Sequence, residues 1–355
     1  MIRSVDHIAA MALYALADLG PEGSVSMAQN ESAFPPSPAA IAAGQAALAH
    51  SALYPDPDWT DLRAAISQVH GMPVERILCG AGSMEIIGAL IAAYAGPGDE
   101  VLGCQYGYAY VATACQLSGA RYVTAPEPEL TVSPGDVLAR LTPATRVVFI
   151  CQPGNPTGTV ISNADLIGLR GDLPDDVLLV IDQAYGEFAD PHDNPRGLFD
   201  LVEQGNTVVT RSFSKAYALA GARVGWACAP DKVAGEIRKI LNPNNVSIVS
   251  QEMARAAMLD QDYLARLVAE TATLRDGFAD QCRALGLEVP ESRTNFVLMR
   301  FASMDDARRA EEALRENGLI MRGMGGYALH DCLRATVCDK PVMDRAAEIL
   351  KGVLT

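Results

Sequence analysis

From about residue 60 the chain alternates between short runs of consecutive apolar residues and longer stretches of helical character. The apolar runs are bounded by turn-forming residues and show no polar–apolar alternation. Strands of this kind, separated by helices, are typical of a sheet that is covered on both faces and mainly parallel. The predicted strands are residues 77–79, 100–103, 121–124, 146–150, 177–181, 207–211 and 224–228.

Two of the intervening stretches predict helices, over residues 83–95 and 108–119. The first of these ends at the turn Gly96-Pro97-Gly98-Asp99, where glycine and proline stop a helix. Strands that alternate with helices in this way predict an α/β fold with a doubly wound layout.

The pattern changes after about residue 245. The predicted elements there are an amphipathic helix over 262–285, a strand over 294–301, a helix over 305–317, strands near 318–322 and 332–337, and a C-terminal helix. This density of mixed elements predicts a smaller α+β domain. We therefore expect a large α/β domain over 28–245, and a small domain that combines residues 246–355 with an N-terminal arm, residues 1–27.

Residues 8–17 form an apolar run behind Arg3 that imitates a targeting signal. Asp6 offsets the charge of Arg3, and no clean cleavage site follows, so we favour an amphipathic helix that packs on the body of the protein. No apolar stretch in the sequence reaches the length of a transmembrane helix.

Charge narrows the classes of partner. The 355 residues carry a formal net charge of −15, which argues against binding to nucleic acids or anionic membranes. A chain of this length can bury a large core and suggests two domains, or one large domain with an appendage. In such an acidic protein, isolated arginines in apolar stretches become candidates for binding anions.

The eight cysteines form no C-x-x-C pair, and most lie in apolar runs that resemble strands. This arrangement predicts buried free thiols in a reducing compartment, which indicates the cytoplasm. The five histidines lack the spacing of metal-binding motifs, so no metal site is expected.

Three predicted strands end in polar, turn-forming residues. The strand over 146–150 leads into CQPGNPTG, the strand over 177–181 leads into Asp182, and the strand over 207–211 leads into Ser212. Ligands of open α/β sheets bind beyond the carboxyl ends of the strands, so these three ends predict a binding site.

Lys215 lies in the stretch TRSFSKAYALAGARVGW, residues 210–226, among hydroxyl and small apolar residues. Partial desolvation by such neighbours lowers the pKa of a lysine and makes its neutral, nucleophilic form accessible. The alternative is a lysine that extends along a partly buried helix to reach solvent.

Phosphate binding is indicated at two places. The stretch GAGSME, residues 80–85, joins a predicted strand to a helix, whose N-terminus favours an anion. Ser212 and Arg223 flank Lys215 and can add a hydroxyl and a guanidinium group. A simple tight turn would explain residues 80–85 equally well, and a helix N-cap would explain Asp182.

Together these features comprise an accessible amine, a buried acid, a phosphate site and the asparagine of NPTG. Pyridoxal phosphate requires a lysine, an acid against its pyridine nitrogen and donors to its phosphate. In their order and spacing, NPTG (155–158), D-x-A-Y (182–185) and SFSKAxALAGxRxG (212–225) resemble the class I/II, fold-type I aminotransferases that depend on pyridoxal phosphate. The resemblance covers nearly the whole chain and is greatest to the histidinol-phosphate aminotransferase branch.

The resemblance implies roles for individual residues. Lys215 would bind the cofactor covalently and then transfer protons, and Asp182 would pair with the pyridine nitrogen. Asn155 and Tyr185 would hydrogen-bond the ring oxygen, and Tyr106 would stack on the ring. The residues implied to bind the cofactor phosphate are Gly82, Ser83, Met84, Ser212 and Arg223, with Tyr54 of a second subunit in an obligate homodimer.

On the substrate side, the resemblance implies that Arg334 binds the α-carboxylate. The other substrate-side positions are Tyr14, Asn30, Tyr54, Asn155 and Arg322. The implied reaction converts histidinol phosphate and 2-oxoglutarate to imidazole-acetol phosphate and glutamate, in histidine biosynthesis. The alternatives are an aromatic amino-acid aminotransferase of the same branch and a phospho-amino-acid decarboxylase. A non-catalytic relative is disfavoured because Lys215 and Asp182 are both present.

This chain departs from the usual pattern of the family at three positions. Gln183 stands where an acid usually follows the aspartate, and Ala81 and Met84 replace polar members of the phosphate-binding turn. None of the three changes removes a catalytic group, but each can alter hydrogen bonding around the cofactor.

Overall fold

The computed structural model describes residues 2–13, 18, 20–189 and 197–354. The strands are β1 (Val25–Ser26), β2 (Ile77–Gly80), β3 (Glu100–Cys104), β4 (Arg121–Ala125), β5 (Thr145–Cys151), β6 (Leu178–Asp182), β7 (Thr207–Ser212), β8 (Gly225–Cys228), β9 (Phe296–Arg300), β10 (Leu319–Ile320), β11 (Arg322–Met324) and β12 (Leu329–Thr336).

The α-helices are α1 (Asp6–Ala9), α2 (Pro38–Ala47), α3 (Thr60–His70), α4 (Ser83–Tyr94), α5 (Tyr110–Ser118), α6 (Pro134–Ala139), α7 (Asn163–Asp172), α8 (Gly197–Glu203), α9 (Asp231–Arg238), α10 (Ile248–Leu259), α11 (Gln261–Ala284), α12 (Met304–Glu316) and α13 (Lys340–Leu354). Short 3₁₀ helices cover Leu48–His50, Val74–Arg76, Pro128–Leu130, Gly186–Phe188, Ala220–Ala222 and Gly325–Tyr327.

The seven strands predicted between residues 77 and 228 form one sheet in the order β2-β8-β7-β6-β5-β3-β4. All pairings are parallel except those of β8, which runs antiparallel to both of its neighbours. The prediction of a mainly parallel α/β sheet is therefore confirmed. Strands β5, β6 and β7 are fully or almost fully buried along their length, as uninterrupted apolar runs require.

The register of the central strands aligns their carboxyl ends. Asp182 pairs with Cys151 on one side and with Thr210 on the other, and Ser212 pairs with Gly225 of the antiparallel strand. The residues that follow β5, β6 and β7 therefore meet at one edge of the sheet, as predicted.

A second, three-stranded antiparallel sheet has the order β11-β12-β9. Phe278 of α11, Leu314 of α12 and Leu350 of α13 belong to the apolar core that covers it. Met27 belongs to the same core, and β1 pairs in parallel with β10, so residues of the N-terminal segment join this part of the fold. The helices and strands predicted after residue 260 are confirmed, and the predicted strand near 318–322 is divided into β10 and β11.

Helix α10 packs against α2 and α3, and its buried residues Ala254, Ala257 and Met258 belong to the core of the seven-stranded sheet. At the other end of the chain, the helix expected over 8–17 is wrong at residues 11–13, which are not helical. Leu13 is almost fully exposed, so no packing stabilises a longer helix there. Residues 14–17 lie outside the described part of the chain.

All eight cysteines are unpaired, and seven of them are buried, which confirms the prediction of buried free thiols. The described residues contain no group of three histidine, cysteine or acidic side chains that could bind a metal ion. In the part of the chain that the structure describes, none of the helices is both long and apolar enough to cross a membrane.

Candidate active site

A cavity of about 400 Å³ lies at the carboxyl ends of β5, β6 and β7. Its wall contains twelve of the fifteen residues that the sequence predicted. The large sheet and its loops contribute Asn155, Asp182, Tyr185, Ser212, Lys215 and Arg223. The N-terminus of α4 contributes Gly82, Ser83 and Met84, and the remaining three are Asn30, Arg322 and Arg334.

Lys215 lies on the segment that follows β7, which is not helical, so the interpretation as a lysine on a partly buried helix is wrong. Its Nζ donates a hydrogen bond to the carbonyl oxygen of Gln29 at 3.1 Å. Burial lowers the pKa of Lys215 to about 8, and the positive charges of Arg334 and Arg223 act in the same direction. Roughly a tenth of the amine is therefore neutral at pH 7, far more than for a lysine with the ordinary pKa.

Asp182 is the last residue of β6 and is only 3% exposed. Burial raises the pKa of its carboxyl group to about 6, against the hydrogen bonds that the carboxylate accepts and the charge of Lys215. Thr210 of the neighbouring strand donates one of these bonds, Oγ1 to Oδ1, at 2.8 Å. The next helix begins at Gly186 and has Tyr185 at its N-cap, so the N-cap interpretation of Asp182 is wrong.

Close backbone packing forms the predicted phosphate site. Gly82, with φ of +85°, precedes α4, and it has no side chain with which to cap the amides of that helix. A Cβ atom on Gly225 would lie 2.1 Å from the nitrogen of Ser83, so β8 can approach this turn only because residue 225 is glycine. A Cβ on Gly82 would lie 2.7 Å from Nη2 of Arg223, which places the guanidinium group beside the same amides.

The opposite wall is a network of buried polar side chains. Asn30 donates from Nδ2 to the hydroxyl of Tyr185 at 2.8 Å. Arg334 donates from Nη1 to Oδ1 of Asn155 at 2.5 Å and from Nη2 to the carbonyl oxygen of Ala28 at 2.8 Å. Its guanidinium carbon also lies 5.2 Å from the centre of the Phe296 ring. Arg334 is therefore a fixed cation and not a mobile charge at a strand edge.

Arg322 and Arg334 are direct partners in the antiparallel pairing of β11 with β12. Like charges at directly opposed positions destabilise a sheet unless an anion offsets them. Arg322 makes no ion pair with any residue that the structure describes. The two arginines thus provide a site for one or two anionic groups in addition to the one beside Arg223.

Three predicted residues do not line the cavity. Tyr106 packs instead against the cluster that contains Leu130 and Leu298, whereas Tyr108, two residues further along the chain, lines the cavity. The prediction that Tyr106 belongs to the site is therefore wrong, and Tyr108 is the residue of this loop at the cavity wall. Tyr54 is 87% exposed and lies away from the cavity of its own chain, and Tyr14 lies outside the described residues.

Sequence reasoning also missed Thr210, because a strand threonine gives no sign of the partner it faces. Glu31, Cys151, Ser214 and Tyr327 line the cavity as well. Of these, Ser214 could have been found, since it lies between Ser212 and Lys215 in the motif that carried the prediction.

The structure accounts for two of the departures from the family pattern. The side-chain oxygen of Gln183 accepts a hydrogen bond from Nε of Arg211 at 3.1 Å, and Nη1 of Arg211 pairs with Glu187 at 2.9 Å. A neutral residue at position 183 leaves this buried arginine with one carboxylate. At the phosphate site, the amide of Ala81 donates to Glu85 at 2.6 Å, so the backbone supplies the contact there.

Comparison with known proteins agrees with this geometry. The family model of aminotransferase class I and II matches residues 22–350, and the chain belongs to that family. The predicted enzyme class, a transferase that moves amino groups, is thereby confirmed.

Within the family, the chain is similar to particular enzymes. It is 42% identical to histidinol-phosphate aminotransferase of Ruegeria sp. (strain TM1040), with 92% of this chain and 89% of the relative aligned. It is 43% identical to histidinol-phosphate aminotransferase of Paramagnetospirillum magneticum, over 88% and 87% of the two chains. A solved structure, histidinol-phosphate aminotransferase from Sinorhizobium meliloti in complex with pyridoxal-5′-phosphate, superposes with a TM-score of 0.93 at 28% identity, covering 100% of this chain and 98% of that one.

Proposed function

We propose that this protein is a histidinol-phosphate aminotransferase that depends on pyridoxal phosphate. It would transfer the amino group of histidinol phosphate to 2-oxoglutarate, giving imidazole-acetol phosphate and glutamate. The observation that carries this proposal is the cavity itself, in which Lys215 and Asp182 lie with Arg223, Arg322 and Arg334. The similarity to two curated enzymes of that name, over about nine-tenths of the chain, supports the choice of substrate.

The residues of the cavity fit the cofactor. The uncapped amides of α4 and the guanidinium of Arg223 suit its phosphate, and the buried acid Asp182 suits a protonated ring nitrogen. When bound, pyridoxal phosphate supplies a covalent link to the amine and an electron sink for the substrate carbanion. We assign phosphate binding to Gly82, Ser83, Met84, Ser212 and Arg223.

The remaining roles follow from chemistry and position. Lys215 would hold the cofactor covalently and, as a free amine, would accept and return the proton at the substrate α-carbon. Its lowered pKa favours this, because an effective acid–base group has a pKa near the working pH. Asp182 would keep the ring nitrogen protonated, Asn155 and Tyr185 would orient the ring oxygen, and Tyr108 would cover the face of the ring.

On the substrate side, we assign the α-carboxylate of glutamate to Arg334 and the phosphate of histidinol phosphate to Arg322. Asn30 holds Tyr185 in place through the hydrogen bond described above. We further propose a cytoplasmic homodimer in which Tyr54 reaches the cofactor phosphate of the other subunit. We also propose a division into residues 28–245 and the two segments 1–27 and 246–355, with α10 of the second segment packed on the core of the larger unit.

Substrate preference and two arginine variants test this assignment. Histidinol phosphate has a phosphate but no α-carboxylate, so it should depend on Arg322 more than on Arg334. Arg322→Ala should raise the activation free energy that corresponds to kcat/KM for this substrate by about 2–5 kcal/mol, the cost of leaving a buried anion without its partner. The same variant should affect a neutral aromatic amino acid little, and Arg334→Ala should impair the glutamate half-reaction most. Arg308→Ala, at an exposed position on α12, serves as the control.

Each half-reaction is followed by the absorbance of the cofactor. If wild type prefers phenylalanine or tyrosine to histidinol phosphate by more than about tenfold, the substrate assignment is wrong. The assignment of the protein as an aminotransferase would still hold. A decarboxylase would leave the cofactor unconverted when glutamate is added.

A further inference from the structure

Glu127 is a buried acid that the proposed reaction does not use. It is only 7% exposed, and no basic side chain among the described residues forms an ion pair with it. A buried carboxyl group without a cationic partner costs stability, so its position calls for a physical reason.

The carboxyl group has one clear partner, the backbone amide of Tyr106, which donates a hydrogen bond to Oε2. Glu127 lies just after β4 between Pro126 and Pro128. Proline restricts its own backbone and that of the residue before it, so the backbone that carries the carboxyl group has little conformational freedom. A second bond joins the same segments, since the amide of Glu127 donates to the side-chain oxygen of Gln105 at 3.4 Å.

The segment held in this way is residues 105–109, which we name the tyrosine loop. It joins β3 to α5 and carries Tyr108 to the cavity wall, while Tyr106 packs against the cluster that contains Leu130 and Leu298. The loop continues the pairing of β3 with β4 by one bond, from the amide of Gln105 to the carbonyl of Ala125 at 2.9 Å. Within the loop, the amide of Gly107 donates to the carbonyl oxygen of Cys104 at 3.0 Å. The contact of Glu127 with the Tyr106 amide adds a side-chain bond that joins the loop to the segment after β4.

We propose that Glu127 is a positioning residue that fixes the tyrosine loop and thereby sets Tyr108 against the cofactor ring. The proposal rests on the proposed function only for the role of Tyr108. Fixation of the loop by Glu127 stands on the contacts alone and can be tested without substrate.

Protonation of Glu127 affects the stability of the fold. Burial raises the pKa of Glu127 from 4.5 to about 7, while the hydrogen bond from Tyr106 acts in the opposite direction. The titratable groups that face it are Cys104, Tyr122 and Cys151, and none carries positive charge. Because the folded-state pKa is raised, stability is greatest below pH 4.5 and is lost as the pH rises through about 7.

Hydrogen–deuterium exchange of the full-length enzyme tests the contact directly. Glu127→Ala removes the acceptor of the Tyr106 amide, so exchange in a peptide that covers 104–110 should become at least about tenfold faster. Glu127→Gln keeps a carbonyl acceptor and should restore slow exchange. Glu129→Gln, at an exposed position two residues later, is the matched control. Unchanged exchange in Glu127→Ala, or faster exchange spread evenly over the protein, would overturn the proposal.

A double-mutant cycle tests whether the effect passes through Tyr108. Glu127→Ala should weaken binding of pyridoxal phosphate about fivefold to tenfold, and by much less in a Tyr108→Ala background. Independent, multiplicative effects would contradict the positioning role. Thermal melts add a third measure. The Tm of Glu127→Gln should exceed that of wild type by more at pH 8 than at pH 5, because only the wild-type side chain becomes charged as the pH rises. If wild type binds no pyridoxal phosphate, the proposed function fails, while the exchange experiment still decides the role of Glu127.

Discussion

Lys215 and Asp182 both have pKa values shifted toward neutrality, and the same physical cause acts on each. Burial disfavours the charged form, so it lowers the pKa of the amine to about 8 and raises that of the carboxyl group to about 6. Each group also stabilises the charge of the other, which limits both shifts. The cavity therefore holds one group that readily loses a proton and one that readily gains one, close to physiological pH.

Lys215→Ala should give a folded protein that binds pyridoxal phosphate only non-covalently and does not turn over. The side chain lies in the cavity and makes one hydrogen bond, so its removal disturbs little of the core. Borohydride reduction of the wild-type enzyme, followed by peptide mapping, should place the pyridoxyl label on Lys215. Label on a different lysine would rule the assignment out.

Asp182→Asn should retain the cofactor but lose most of the activity, by about 10²-fold or more. An amide does not provide the negative charge that stabilises a protonated ring nitrogen, and buried charges of this kind are worth several kcal/mol. The measurement is single-turnover conversion of the bound cofactor by glutamate, with occupancy checked by absorbance. Near-normal conversion at full occupancy would contradict the role of Asp182.

At the scale of elements, the site depends on how closely β8 approaches the N-terminus of α4. Gly225 is paired with Ser212 in the sheet, and its Cα faces the backbone of Gly82 and Ser83. This one contact determines where the amides of α4 lie relative to Ser212 and Arg223. The shape of the turn that we propose as a phosphate site therefore depends on the packing of a neighbouring strand.

Gly225→Ala should weaken binding of pyridoxal phosphate and destabilise the fold by about 1–3 kcal/mol, because the added methyl group would lie 2.1 Å from the backbone nitrogen of Ser83 and the backbone would have to shift. Gly168→Ala is the matched control, since a Cβ there meets no atom within 4 Å and the residue lies on α7, outside the cavity wall. We would measure the dissociation constant of pyridoxal phosphate and the denaturant midpoint for both. Equal behaviour of the two variants would show that the close approach is unimportant.

At the scale of the whole molecule, charge is distributed unevenly. The chain carries a net charge of −15, yet its cavity contains Lys215, Arg223, Arg322 and Arg334 against the acids Glu31 and Asp182. A cationic cleft in an acidic protein attracts anionic ligands while the rest of the surface repels polyanions such as nucleic acids. The proposed dimer would add Tyr54 to this cleft from a second copy.

Mixing two inactive variants tests the dimer. If Tyr54 serves the site of the other subunit, a hybrid of Lys215→Ala with Tyr54→Ala contains one site with both native residues. Random reassembly of equal amounts should then recover about a quarter of the wild-type activity, because half of the dimers are hybrids with one working site. Each variant alone, unfolded and refolded in the same way, is the control. Absence of recovery would place Tyr54 outside the neighbouring site.

The sequence by itself determined the order of the elements and most of the residues at the site. Uninterrupted apolar runs can be satisfied only in a covered sheet, and the ends of parallel strands necessarily meet at one edge, so Asn155, Asp182 and Lys215 could be placed together. Motif spacing added the glycines and Arg223, because their positions follow from backbone geometry next to a phosphate.

Only the tertiary structure decided which side chains face the cavity. Tyr106 and Tyr108 lie two residues apart on one loop, yet Tyr106 packs against the Leu130 cluster and Tyr108 lines the cavity. The partners Thr210 of Asp182 and Arg211 of Gln183 likewise come from strand register. Local patterns report propensity and burial, whereas side-chain direction, hydrogen-bond partners and pKa values arise from residues brought together by folding.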